Sequence, residues 1–190
     1  MQCPKEPKIE LVPGTLSYGL NAQCCPECGG AWIPPEHYTD WQHRQGILLD
    51  QEPQVEILPS RVQLDFTPSS LDNRAALCPD CRHYLVRGRI DLQATTFFVE
   101  RCPNCKGYWC DRDEWRVLEA LKLDKHLEYI FSELWQNQVK KWELVARERQ
   151  ATTDKLGADI ANKIFELADL LESHPNGDFG VAYLMRRFEQ

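Results

Sequence analysis

Two kinds of apolar spacing divide the chain. Up to about residue 110, apolar positions come in short runs punctuated by Pro, Gly and Cys, the pattern of small β elements. Thr15-Leu-Ser-Tyr-Gly-Leu20 alternates apolar with polar, and Arg89-Ile-Asp-Leu92 precedes the β-branched and aromatic run Thr95-Thr-Phe-Phe-Val99. Short antiparallel strands are predicted at all three. Residues 44–76 are broken by Pro53, Pro59 and Pro68 and read as a linker. Within it, Val55–Leu58 and Val62–Phe66 alternate enough to predict brief strands that pack against the rest.

Beyond that point the period changes. Asp111-Arg-Asp-Glu114 reads as a capping box, with Asp111 as the cap and Glu114 reaching back, and it starts a helix. Leu127, Ile130, Phe131, Leu134, Trp135, Val139, Trp142 and Val145 then recur at three- and four-residue steps without Gly or Pro. Unbroken from 111 to 150, this helix would be about 60 Å long. Thr152, Thr153 and Asp154 offer a cap for a second helix carrying Ile160, Ile164, Leu167 and Leu171, packed on the first as a hairpin. His174-Pro-Asn-Gly177 stops it, and Val181–Phe188 predicts a short terminal helix. Trp135 and Trp142 share one face and read first as helix–helix core, with partner anchoring as the rarer use of such a stripe.

The cysteines supply the chemistry. Cys78-Pro-Asp-Cys81 and Cys102-Pro-Asn-Cys105 are two Cys-Pro-x-Cys knuckles with 20 residues between them, so one hairpin brings four thiolates to a tetrahedral metal. Proline stiffens each knuckle so that later N–H groups point at sulfur, and a small residue such as Gly29 or Gly107 is expected to ease the turn that follows. Cys25-Pro-Glu-Cys28-Gly-Gly-Ala-Trp32 repeats Cys102-Pro-Asn-Cys105-Lys-Gly-Tyr-Trp109, and Cys3-Pro4-Lys5-Glu6 falls opposite Cys78-Pro79-Asp80-Cys81. The first copy therefore keeps Cys3, Cys25 and Cys28 as candidate ligands of a second site, with Glu6, Cys24, His37, His43 or water left open as the fourth. Each copy is about 30 to 35 residues, too small for a core alone to hold, so metal must supply stability. Cys110 reads as an apolar filler, and His83, His126 and His174 have no ligand spacing.

Composition narrows the classes. The 190 residues are 43% hydrophobic and 27% charged, as in ordinary globular proteins, with no apolar run of membrane-spanning length and no signal-peptide pattern. The reading is cytoplasmic, with nine cysteines assigned to metal in preference to disulfides. A net charge of −7 repels phosphate. Tetrahedral Cys₄ suits iron as well as zinc, so a rubredoxin-like electron-transfer centre is the competing metal reading.

The run Cys78-Pro-x-Cys81, Cys102-Pro-x-Cys105-x-Gly-x-Trp109-x-Asp111-x-x-Glu114 resembles the transcription factor IIB-type zinc-finger domain family of bacterial proteins. The resemblance implies small zinc ribbons in tandem, the first degraded, with Glu6 where the family has Cys and His37 where it has Glu. The fold class expected is α+β: a degenerate ribbon at 1–43, a linker at 44–76, a complete ribbon at 77–115 and a helical region at 116–190. The expected function is that of a non-enzymatic zinc protein, holding one Zn²⁺ and room for a second, that serves as a protein-interaction or assembly module with a protein partner. The alternative is nucleic-acid or transcription-machinery binding through Arg82, Arg87, Arg89, Tyr84 and Phe98 of the second ribbon.

Overall fold

The computed structural model describes residues 1–47, 64–92 and 95–188. It is α+β, built on one six-stranded antiparallel sheet of order β1-β2-β3-β6-β5-β4. The first copy supplies β1 (Val12–Leu16), β2 (Leu20–Cys24) and β3 (Ala31–Ile33). The second supplies β4 (Val86–Asp91), β5 (Thr96–Arg101) and β6 (Tyr108–Cys110).

The copies are joined through their last strands. Trp32 stands opposite Trp109, with Ala31 opposite Cys110 and Ile33 opposite Tyr108. A shift of 77 residues in sequence exchanges the two outer pairs, so the seam has the self-complementary form of a two-fold dimer contact, here within one chain. The Gly-x-Trp spacing builds this seam. A Cβ on Gly30 would lie 2.3 Å from Trp109 Cζ2, and one on Gly107 would lie 2.4 Å from Trp32 Cζ2. Each indole thus lies on the other copy's glycine, and both are buried among Cys3, Cys25, Cys78 and Cys102.

Several expectations need correction. Leu16 and Leu20 belong to different strands, because Tyr18 and Gly19 take left-handed angles (φ 56° and 74°) and turn the chain between them. The alternation at Thr15–Leu20 was a hairpin end, not a strand. The first copy also carries an unforeseen helix, α1 (Pro35–Arg44), whose Tyr38, Trp41 and Gln42 are buried. Tyr38 Oη donates to Asp124 O (2.8 Å), and its ring packs edge-on against Tyr108.

The long helix from 111 does not form. α2 runs only from Glu114 to Ala120, Lys122 turns left-handed at φ 58°, and a 3₁₀ segment covers Leu127–Phe131 before α3 (Glu133–Leu156). Leu121, Leu123, Leu127 and Ile130 are all buried, and Ile130 sits close over Gly88 of β4. A straight helix would carry these side chains off the sheet, so burial overrides the helical period. Trp135 is buried and donates from Nε1 to Arg89 O (2.8 Å), which makes it core.

α3 also runs past the expected break. Thr152 and Thr153 hydroxyls donate back to Glu148 O and Arg149 O (2.8 and 2.9 Å), so they decorate the helix and cap nothing. Gly157, at φ 80°, ends it, and α4 (Ala158–Ser173) and α5 (Gly177–Phe188) follow. Arg149 of α3 pairs with Asp169 of α4 (3.2 Å) and lies over the Phe165 ring.

Met1–Val139 forms one compact unit and Lys140–Gln190 another. The described residues of 1–43, 44–76 and 77–115 therefore share a unit. Val55–Leu58 lies outside the described residues, as does the start of Val62–Phe66, whose remainder is not strand. The described end of the linker does pack inward: Phe66 meets Phe97 edge-on at 5.1 Å, and Phe98 N donates to Asp72 Oδ1 (3.2 Å).

Candidate metal centres

Local chain geometry aims the thiols of the second copy at one point. After Cys81 and Cys105 the chain turns left-handed at Arg82 (φ 63°) and Lys106 (φ 71°), whose N–H groups bond back to Cys78 O and Cys102 O. Cys81 N and Cys105 N then point at Cys78 Sγ and Cys102 Sγ, each at 3.4 Å. The left-handed position is Lys106, not the glycine after it. Gly107 is small because Trp32 lies on it.

Cys78, Cys81, Cys102 and Cys105 bring all four Sγ atoms within 4.8 Å of one another. Cys78–Cys105 and Cys81–Cys102 Sγ distances are 3.6 and 3.3 Å. A tetrahedral ion with bonds of about 2.3 Å needs sulfur–sulfur edges of about 3.8 Å. The cage therefore fits zinc with a slight expansion, and its all-sulfur donor set also suits iron. Two of these thiols are pushed in opposite directions: burial moves Cys78 up to about 11, while the hydrogen bond from the His83 backbone holds Cys81 down at about 5.

The first copy brings together three thiols, Cys3, Cys25 and Cys28, also within 4.8 Å of one another. The knuckle at Cys25 matches the second copy: Gly29 is left-handed (φ 74°), its N–H returns to Cys25 O, and Cys28 N points at Cys25 Sγ (3.5 Å). Glu6 N keeps the equivalent contact to Cys3 Sγ (3.3 Å). None of the side chains expected as the fourth ligand joins the cluster. Cys24 Sγ covers Gly14, where a Cβ would lie 2.5 Å away, and His37 Nδ1 lies 3.2 Å from Asn21 O. His43 and the Glu6 carboxylate are likewise outside the thiol group. Cys110 is buried opposite Ala31, a filler as read, with burial raising its thiol well above the usual range.

Sequence reasoning missed the polar centre between the sites. Lys5 is fully buried and donates to Leu71 O, Asp72 O and Arg74 O (3.2, 3.3 and 3.1 Å) and, more closely, to Glu100 Oε1. Asp111 Oδ2 lies 3.8 Å away. The Asp111 carboxylate turns inward to accept from Trp109 Nε1 (2.7 Å), and Glu114 Oε2 accepts from Asp111 N (2.7 Å). So Glu114 reaches back as the capping box requires, but Asp113, not Asp111, precedes the helix, and Asp111 serves the seam. Burial raises Asp72 to about 6 and Glu100 to about 8, the latter against the opposing pull of Lys5. Lys5 sits inside a knuckle, where exposure is the usual expectation, so nothing in the local sequence marked it.

In the second copy the cations are partly committed. Arg89 pairs with Asp91 (2.8 Å) and Arg87 lies over Phe98 at 4.8 Å, while Tyr84 is exposed. No helix among the described residues is long and apolar enough to cross a membrane. No protein-family model, curated protein or solved structure matches the chain.

Proposed function

We propose that this chain is a zinc-held, non-catalytic interaction module of the transcription factor IIB-type zinc-ribbon kind, which presents a helical surface to a protein partner. The metal half of this reading rests on the Cys78, Cys81, Cys102 and Cys105 cage, whose sulfur spacing fits the ion. A reducing, cytoplasmic setting would keep those thiols available, in keeping with the bacterial character of the family it resembles.

The partner half is carried by one observation. Within Lys140–Gln190, Ile160, Ile164, Leu167, Leu170, Phe179 and Tyr183 are exposed. So much apolar surface on neighbouring turns is the usual mark of a contact site. The acidic total charge and the commitment of Arg87 and Arg89 to Phe98 and Asp91 favour protein over nucleic acid.

Affinity capture with the full chain from a native extract tests this, beside an Ile164→Asp, Leu167→Asp variant. A protein retained by the parent and lost by the variant supports the reading. Recovery of nucleic acid alone would sink it. Elemental analysis of the same material decides the metal: a coloured, iron-loaded protein would replace zinc with a rubredoxin-like electron-transfer role.

A further inference from the structure

Beyond Glu6 in place of a cysteine, the degraded copy departs from its twin at the next residue. Laying Cys3 on Cys78 puts Pro7 on Arg82, the residue that turns left-handed and donates its N–H to the first cysteine's carbonyl. Proline is fixed near φ −65° and has no N–H, so that turn cannot form at Pro7. The return bond from the first cysteine shifts accordingly: Cys78 N donates to His83 O, five residues on, whereas Cys3 N donates to Ile9 O, six residues on. The loop is thus wider at the corner where the fourth ligand would stand. Glutamate is also two bonds longer than cysteine, and the Glu6 carboxylate lies outside the thiol cluster.

That corner borders a groove of about 580 Å³. Its walls include Cys28 of the thiol set, with Glu6, Glu27, Asp113 and Arg112 as its charged groups and Ser69 on the linker side. Arg112 comes from the second copy, and its guanidinium donates to Glu27 O (3.1 Å) beside the Cys25–Cys28 knuckle. Zinc bound by three thiolates keeps one net negative charge, and three carboxylates here face one guanidinium. Such surroundings disfavour an anion as the fourth ligand and favour a neutral nitrogen donor.

We propose that Cys3, Cys25 and Cys28 hold a second zinc ion whose fourth position opens on this groove and exchanges water for a neutral donor of the imidazole class. A histidine on a partner segment and a free small imidazole share that chemistry. Ligand exchange here is a substitution without redox change: water leaves zinc and the unprotonated ring nitrogen takes its place. The inference deepens the metal half of the proposed function and does not depend on the partner half.

Cobalt in place of zinc in the full-length chain reports the ligands by visible absorption. The expected result is two cobalt ions per chain, with the bands of one shifting saturably on adding imidazole and not on adding azide, while the four-thiolate site stays silent. Glu6→Cys should keep both metals and abolish the imidazole shift. Cys28→Ser should lose one metal and the shift together. A histidine-containing tripeptide acting at lower concentration than imidazole identifies a protein segment as the source, and the reverse order identifies a small molecule. One metal per chain in the parent protein, spectra blind to imidazole, or an equal response to azide overturns the proposal. So does a Glu6→Gln variant whose spectrum changes before any ligand is added, because Glu6 would then be the ligand. The parent titration decides the matter even if a variant fails to fold.

Discussion

Trp32 lies directly across the sheet from Trp109, and each indole rests on a glycine of the opposite copy, Gly107 and Gly30. The seam leaves no room at either glycine. Gly30→Ala or Gly107→Ala should each cost about 1–3 kcal/mol, because a methyl group would have to displace a buried ring. Chemical denaturation of the metal-loaded protein measures this, with tryptophan emission reporting the shifted rings. An unchanged midpoint for both variants would contradict the packing described.

Lys5 joins the first knuckle to β5 and to the end of the linker from a fully buried position. Lys5→Met keeps the apolar stem and removes the charge, leaving Glu100 buried without its cation. The expected loss is about 3–5 kcal/mol. The double variant Lys5→Met, Glu100→Gln should lose less than the sum of the single changes, since the second removes the orphaned charge. Additive losses in a denaturant series would show that the two groups do not interact.

Asp72 provides a pH signature. Burial raises it from 3.8 to about 6, so its contribution to stability is complete below about 3.8 and is lost as pH rises through about 6. Asp72→Asn should remove this loss, so the variant gains on the parent protein by on the order of 1–1.5 kcal/mol between pH 5 and 7. Asp72 belongs to neither thiol group, so comparing the two melts at a fixed excess of metal isolates the carboxylate. Parallel curves would rule the effect out.

Metal removal acts on the whole of Met1–Val139, because the four-cysteine cage and both tryptophans share one buried cluster. A strong chelator, or Cys102→Ser, should abolish the cooperative tryptophan-detected melt, and added zinc should restore it only to the chelated parent. Affinity should fall with falling pH. The burial that raises Cys78 to about 11 favours its thiol, and protons compete with zinc for the sulfur. A melt unaffected by the chelator would show that the fold does not need the ion.

Much of the candidate site was legible because its causes are local. A Cys-Pro-x-Cys knuckle is closed by hydrogen bonds spanning three to five residues, so spacing alone located Cys78, Cys81, Cys102 and Cys105 and the incomplete set Cys3, Cys25 and Cys28. The repeat marked Trp32 and Trp109 as equivalent, and the shift to helical spacing announced α3 and α4. Pro7 was a readable signal too, once the position of Arg82 in its knuckle is known to need a left-handed residue.

What the chain order did not hold was any statement about residues far apart. The pairing of Trp32 with Trp109, the burial of Lys5 against Glu100 and the placing of Arg112 beside Glu27 join groups separated by 77 to 95 positions. The tryptophan pairing gains by excluding water between surfaces that meet only in the folded sheet, the Lys5 and Arg112 contacts form only once those surfaces have met, and no local period records which surfaces will meet. For the same reason the single long helix gave way to α2, a 3₁₀ turn and α3: apolar periodicity said that a face must be buried, and the sheet decided where the chain had to bend to bury it.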